Sequence, residues 1–112
     1  MVKCRLCGER AVVKVRYAKT YLCSKHFTEF IERKVRRSLI RYGMVGKGSK
    51  IAVAISGGKD SAVMTYILSK LSKDMGFDMI AIHIDLGIEG YSEKCVDAVL
   101  SLTKGLGIKC LV

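Results

Sequence analysis

The chain has 112 residues and a mass of 12.4 kDa, room for one small domain or two very small ones. Half of the residues are hydrophobic and 27% are charged, with 20 Lys and Arg against 10 Asp and Glu. This composition excludes a disordered tail. No apolar run approaches the ~20 residues of a membrane span, and Met1-Val2-Lys3-Cys4-Arg5 contains no signal-like stretch. A membrane protein and a secreted disulfide scaffold are therefore excluded, and a cytoplasmic location is expected.

The charge is unevenly placed. Residues 1–50 hold 14 Lys or Arg and 3 acids, whereas residues 51–112 hold 6 Lys and 7 acids. A split of this kind predicts two modules, one built to meet a polyanion and one that is not. Gly43, Gly46 and Gly48 fall between them and read as a flexible hinge over 43–50.

In the basic module, Cys4-x-x-Cys7 is followed after fifteen residues by Cys23-x-x-His26. Two knuckles with two ligands each match a tetrahedral Zn²⁺ site, and with all four positions filled by protein the site is structural. A disulfide would strand one of the three cysteines and ignore His26. Between the knuckles, residues 12–17 and 20–22 alternate like the strands of a hairpin. A core this small needs a staple, so metal binding and folding are expected to be coupled.

Residues 27–42 read as a helix. Phe27, Ile31, Val35 and Leu39 recur every four residues as one apolar stripe, and Gly43 supplies the stop. Arg33, Arg37 and Arg41 form a second stripe, flanked by Lys34 and Arg36. Few acids are available to pair with these five cations, which favours a phosphate backbone over a merely solvated face.

The second module opens with an apolar strand over 50–55, then Ser56-Gly57-Gly58-Lys59-Asp60-Ser61, then a helix with Val63, Ile67 and Leu71 at helical spacing. Adjacent glycines let backbone N–H groups approach an anion, and the helix N-terminus adds partial positive charge. Ser56 and Ser61 offer hydroxyls and Lys59 a full charge. Asp60 either caps the helix or helps to hold Mg²⁺. A Walker A loop is excluded because position 53 is Val53 and Asp60 follows Lys59. The dinucleotide pattern G-x-G-x-x-G also fails, since Gly57 and Gly58 are adjacent and position 62 is Ala62. A second strand over 78–85, a helix over 92–104 ended by Gly105, and a third strand over 108–112 complete the pattern. Alternation of this kind is half of a doubly wound parallel α/β sheet, with ligands expected outside the carboxyl ends of the strands. Cys95 and Cys110 read as core, and His83 is given no chemistry.

The string S-G-G-K-D-S resembles the PP-loop of ATP pyrophosphatases. Together with the finger ahead of it, and with His83-Ile84-Asp85-Leu86-Gly87-Ile88, the chain resembles the amino-terminal portion of the tRNA 2-thiouridine synthetases. That resemblance implies a zinc-ribbon-like finger and basic helix over 1–42, and over 51–112 a partial ATP-binding domain of PP-loop (HUP-like) fold. It implies Cys4, Cys7, Cys23 and His26 as zinc ligands, and Ser56, Gly57, Gly58, Lys59, Asp60 and Ser61 as the pyrophosphate loop. It places backbone groups of Ala54 and Ile84 beside the adenosine. The implied reaction adenylates O2 of a tRNA uridine from ATP and inserts sulfur, releasing pyrophosphate and AMP. The implied partners are tRNA, through Arg33, Lys34, Arg36, Arg37 and Arg41, and a sulfur-carrier protein or other sulfur donor. The family's catalytic cysteines, which hold an iron–sulfur cluster in many members, lie beyond this chain, so no catalytic residue is assigned. Ending at Val112 would leave the first strand of the sheet as an apolar edge. A fragment of an enzyme about three times longer is therefore expected, with homodimerisation or the missing carboxy-terminal half to complete it. The other readings are a different PP-loop ligase or amidotransferase, and a non-catalytic fragment that binds zinc, ATP and RNA.

Overall fold

The computed structural model describes residues 2–112. It divides into two compact units, Met1–Leu39 and Ile40–Val112. No helix among the described residues is long and apolar enough to cross a membrane.

The first unit is a small hairpin with a helix behind it. Strand β1 (Val13–Val15) pairs antiparallel with β2 (Thr20–Leu22), Val13 lying opposite Leu22. The alternation of apolar and polar residues sends Val15 and Leu22 inward, where they bury with Cys4 and Cys23; Val13, Phe27 and Phe30 pack against that cluster. So few buried side chains, each contributing about 1.5–3 kcal/mol at full burial, leave little margin over chain entropy. Helix α1 spans Ser24–Arg41, starting three residues earlier than the apolar stripe predicts. The reason is local: the Phe27 N–H donates to the Cys23 carbonyl at 2.9 Å, so the second knuckle is itself the first helical turn.

The second unit is a parallel sheet in the order β3-β4-β5, formed by Lys50–Ala54, Asp78–Ile82 and Lys109–Leu111. Helices α2 (Lys59–Met75) and α3 (Ser92–Leu106) make the crossovers. Val53, Ile55, Ala81, Ile67, Leu68, Leu71, Phe77 and Val99 form the core. Ile82 and Leu111, paired in register, are 37% and 47% exposed, so one face of the sheet has no helix over it among the described residues.

Three expectations need correction. The second strand ends at Ile82 and not at residue 85, because its partner β3 ends at Ala54 where the glycine loop turns away. Gly105 lies inside α3, and the helix stops at Gly107, whose φ of +70° permits the left-handed cap that bonds back to Thr103 and Lys104 carbonyls. Val63 is 55% exposed; the buried face of α2 carries Thr65, Ile67, Leu68, Ser69 and Leu71 instead. The glycine-rich 43–50 segment is turned, with the Ser49 N–H on the Gly46 carbonyl at 3.0 Å and the Gly48 N–H on the Gly76 carbonyl at 2.8 Å.

Candidate functional site

Two clusters carry chemistry, one in each unit. In the first, the ligand atoms of Cys4, Cys7, Cys23 and His26 all lie within 4.8 Å of one another. The Cys23 sulfur is 3.2 Å from His26 Nδ1, the Cys4 sulfur 3.5 Å from the same nitrogen, and the Cys7 and Cys23 sulfurs are 3.7 Å apart. Metal–sulfur bonds of about 2.3 Å and metal–nitrogen bonds of about 2.0–2.1 Å give a tetrahedron with edges of roughly 3.5–3.8 Å. The four residues therefore fit a tetrahedral ion with Nδ1 as the imidazole donor. Backbone turns shape the first knuckle: Gly8 N–H reaches the Cys4 carbonyl at 3.0 Å, with Gly8 at φ +77°.

The electrostatics of the knuckle suit thiolate ligands. Burial would push the Cys4 thiol up, but backbone hydrogen bonds from Cys23, Leu6 and Cys7 and the Cys7 side chain outweigh it and lower Cys4 from 9.0 to about 6. The Leu6 N–H, 3.4 Å from the Cys4 sulfur, is one of these donors. Cys7 moves the other way: the Glu9 backbone lowers it, but burial and the neighbouring Cys23 and Cys4 together raise it. Two sulfurs this close cannot both ionise cheaply without a cation between them.

The second cluster lies at the carboxyl end of the parallel sheet. Strand β3 ends at Ala54, and residues 55–58 lead into α2, whose N-cap is Gly58. The loop is tied to itself. Ser56 and Ser61 hydroxyls are 3.1 Å apart, the Ser56 N–H reaches Ser61 Oγ at 3.2 Å, and the Gly58 N–H reaches Ser56 Oγ at 3.2 Å. Lys59 and Asp60 open the helix and are exposed. No side chain caps that helix end, that of Asp60 included. Gly57, at φ +93°, passes so close to α3 that a methyl group there would sit 3.0 Å from Cys95 Cβ and 3.1 Å from its Cα. Glycine is thus required by backbone packing.

A cavity of about 170 Å³ opens beside this loop, lined by Ile55, Ser56, His83, Ile84, Tyr91 and Cys95 among others. His83 is buried, and its Nδ1 donates to the Ile55 carbonyl at 2.6 Å, tying the end of β4 to the residue before the loop. The Cys95 side chain, through a hydrogen bond and through charge, pushes the Tyr91 phenol up, with burial acting the same way. Ile84 is 74% exposed at the cavity, while Ala54 ends β3 outside the lining. Cys95 borders the cavity and is half-buried, where a core position was expected; it sits in the first turn of α3, a place that spacing alone does not reveal. Arg33, Lys34, Arg36, Arg37 and Arg41 are all exposed along α1.

Comparison with known proteins finds a match for each of the two units. Residues 3–28 match the N-terminal LIM domain of the 2-thiouridine synthetase TtuA, and residues 24–112 match the PP-loop domain. The chain is 46% identical over 106 residues to a tRNA-5-methyluridine(54) 2-sulfurtransferase of Pyrococcus horikoshii, covering 95% of this chain and 33% of that protein. It is 40% identical over 98 residues to the protein of the same name from Thermotoga maritima, covering 88% and 31%. The solved U34-tRNA thiolase NcsA from Methanococcus maripaludis, described with its [4Fe-4S] cluster, superposes with a TM-score of 0.87 at 34% identity, over 99% of this chain and 37% of that one. The chain thus spans about a third of the length of the curated relatives it matches. It belongs to the PP-loop family, and ahead of that domain it carries a segment similar to the N-terminal LIM domain of the 2-thiouridine synthetase TtuA.

Proposed function

We propose that the chain is the finger and ATP-binding portion of an ATP-dependent tRNA thiolation enzyme of the cytoplasm. The observation that carries this reading is the pairing, on one chain, of four soft ligands within tetrahedral reach and a serine–glycine loop at a helix N-terminus. Cys4, Cys7, Cys23 and His26 hold a structural Zn²⁺, which crosslinks the two knuckles and leaves no coordination position for chemistry.

In the second unit, the N–H groups of Gly57 and Gly58, the hydroxyls of Ser56 and Ser61 and the Lys59 ammonium bind the ATP phosphates. Asp60 holds Mg²⁺ beside them. Backbone groups of Ala54 and Ile84 border the adenosine. O2 of the target uridine attacks the α-phosphorus and pyrophosphate leaves. A sulfur donor then attacks C2, and AMP departs with the former O2. Arg33, Lys34, Arg36, Arg37 and Arg41 grip the tRNA backbone. The catalytic cysteines of this chemistry are not assigned to any residue here.

The test supplies the natural polypeptide with ATP, Mg²⁺, unmodified tRNA and sulfide, then digests the tRNA to nucleosides. A 2-thiouridine-type nucleoside is expected, dependent on ATP; sulfur-free tRNA from an intact, zinc-loaded polypeptide would overturn the reading.

A further inference from the structure

The alternation over 12–17 places Tyr17 in the first strand of the hairpin, but β1 ends at Val15 and Tyr17 lies in the turn beyond it. It occupies the second position of the turn joining β1 to β2, which the Lys19 N–H closes on the Arg16 carbonyl at 3.1 Å. The residue is 71% exposed. It is nonetheless held: its ring centroid lies 6.1 Å from that of Phe30 on α1, tilted by 42°, and Lys34 Nζ lies 5.0 Å from it. The same ammonium is 5.6 Å from the Phe30 ring. Arg16 and Lys19 flank Tyr17 in the turn, and Arg37 lies one helical turn beyond Lys34. On the outer face of the hairpin, Lys14 and Tyr21 are cross-strand partners with Nζ 5.6 Å from the ring.

We infer that Tyr17 is a stacking platform for an unpaired nucleotide of RNA, with Arg16, Lys19 and Lys34 neutralising the phosphates on either side of the stacked base. The inference rests on the tRNA reading above and adds to it the kind of RNA element the finger takes. A duplex hides its base faces, so cations alone would treat paired and unpaired RNA alike. An aromatic ring fixed among cations favours splayed-out bases of a loop. The fixed ring also loses little freedom on binding.

The experiment titrates the natural polypeptide with a labelled stem–loop RNA and with the fully paired duplex of its stem, at low and at moderate salt. Tyr17 is exposed, so its replacement leaves the fold intact. Tyr17→Ala is expected to weaken stem–loop binding by about 5- to 150-fold, to leave duplex binding and the salt slope unchanged, and Tyr17→Phe to behave as wild type. The double variant Arg33→Glu/Arg37→Glu is expected to weaken both RNAs and flatten the salt slope. Unchanged stem–loop affinity in Tyr17→Ala, with salt-dependent binding still lost in the double variant, would overturn the platform and leave the tRNA reading standing. A wild-type protein that binds neither RNA would overturn both.

Discussion

At position 57 a side chain has no room. The backbone is at φ +93°, and both Cβ and Cα of Cys95 stand where a methyl would go. Gly57→Ala is therefore expected to shift the loop, costing about 1–3 kcal/mol of stability and at least tenfold in ATP affinity. Gly58→Ala, at φ −85° with Ser56 Oγ at 3.4 Å as its nearest neighbour, should cost far less. Calorimetric melting and ATP titration of the two variants make the comparison; equal effects would mean that the contact with α3 is unimportant. Lys59→Ala removes one charged donor, expected to weaken ATP binding by about 10- to 150-fold with zinc and helicity unchanged. Acid acts on the finger through Cys4. Its lowered value means that the thiolate's contribution is complete above its ordinary 9.0 and is lost as pH falls through about 6. Cys7 is raised, so its contribution runs the opposite way, complete below its ordinary value and lost as pH rises through the raised one. Protons compete with metal for the same sulfurs. Bound zinc holds the thiolates against protonation, so zinc captured by an indicator dye should appear only on acidification below the pH at which the metal-free Cys4 thiol titrates, and release already complete at neutral pH would contradict the account.

The hairpin, α1 and the knuckles stand or fall together, because the buried cluster of Cys4, Val15, Leu22 and Cys23 contains two of the metal ligands. Cys7→Ala should release zinc and collapse the circular dichroism of residues 1–30, while the ATP-dependent melting shift of the second unit persists. Stoichiometric zinc retained in that variant would refute the ligand set. The strand–loop–helix alternation was legible because each parallel strand is a short apolar run and each helix has its own periodicity. Element ends were less legible. Gly105 resembles a stop, yet the chain reaches its left-handed cap only at Gly107. The face of α2 was misjudged because Thr65 and Ser69 are buried there, and their polarity disguises the inward stripe. Thr65 satisfies its hydroxyl on the Ser61 carbonyl at 2.7 Å, which is what permits the burial.

Across the whole molecule, charge and chemistry divide along the chain, with the cations concentrated in residues 1–50. Ligand spacing made the metal cluster readable, since four residues in two short knuckles constrain one another locally. The cavity was not readable: His83, Tyr91 and Cys95 reach it from two segments whose approach depends on sheet topology and on the close packing of Gly57. The turn at Tyr17 reads as strand because the alternation of 12–17 runs on through it, whereas the pairing with β2 stops at Val15. Reversing Arg33, Arg37 and Arg41 to Glu should abolish salt-dependent tRNA binding and spare ATP; unchanged tRNA affinity would return that helix to a solvated surface. The central claim, that the loop serves adenylation of RNA, is tested most directly by following ATP labelled at the α-phosphate in the presence of the natural polypeptide, Mg²⁺, tRNA and a sulfur donor. The account predicts label in AMP with stoichiometric pyrophosphate, dependent on tRNA and lost in Lys59→Ala. Label recovered in ADP, or AMP formed equally well without tRNA, would contradict it.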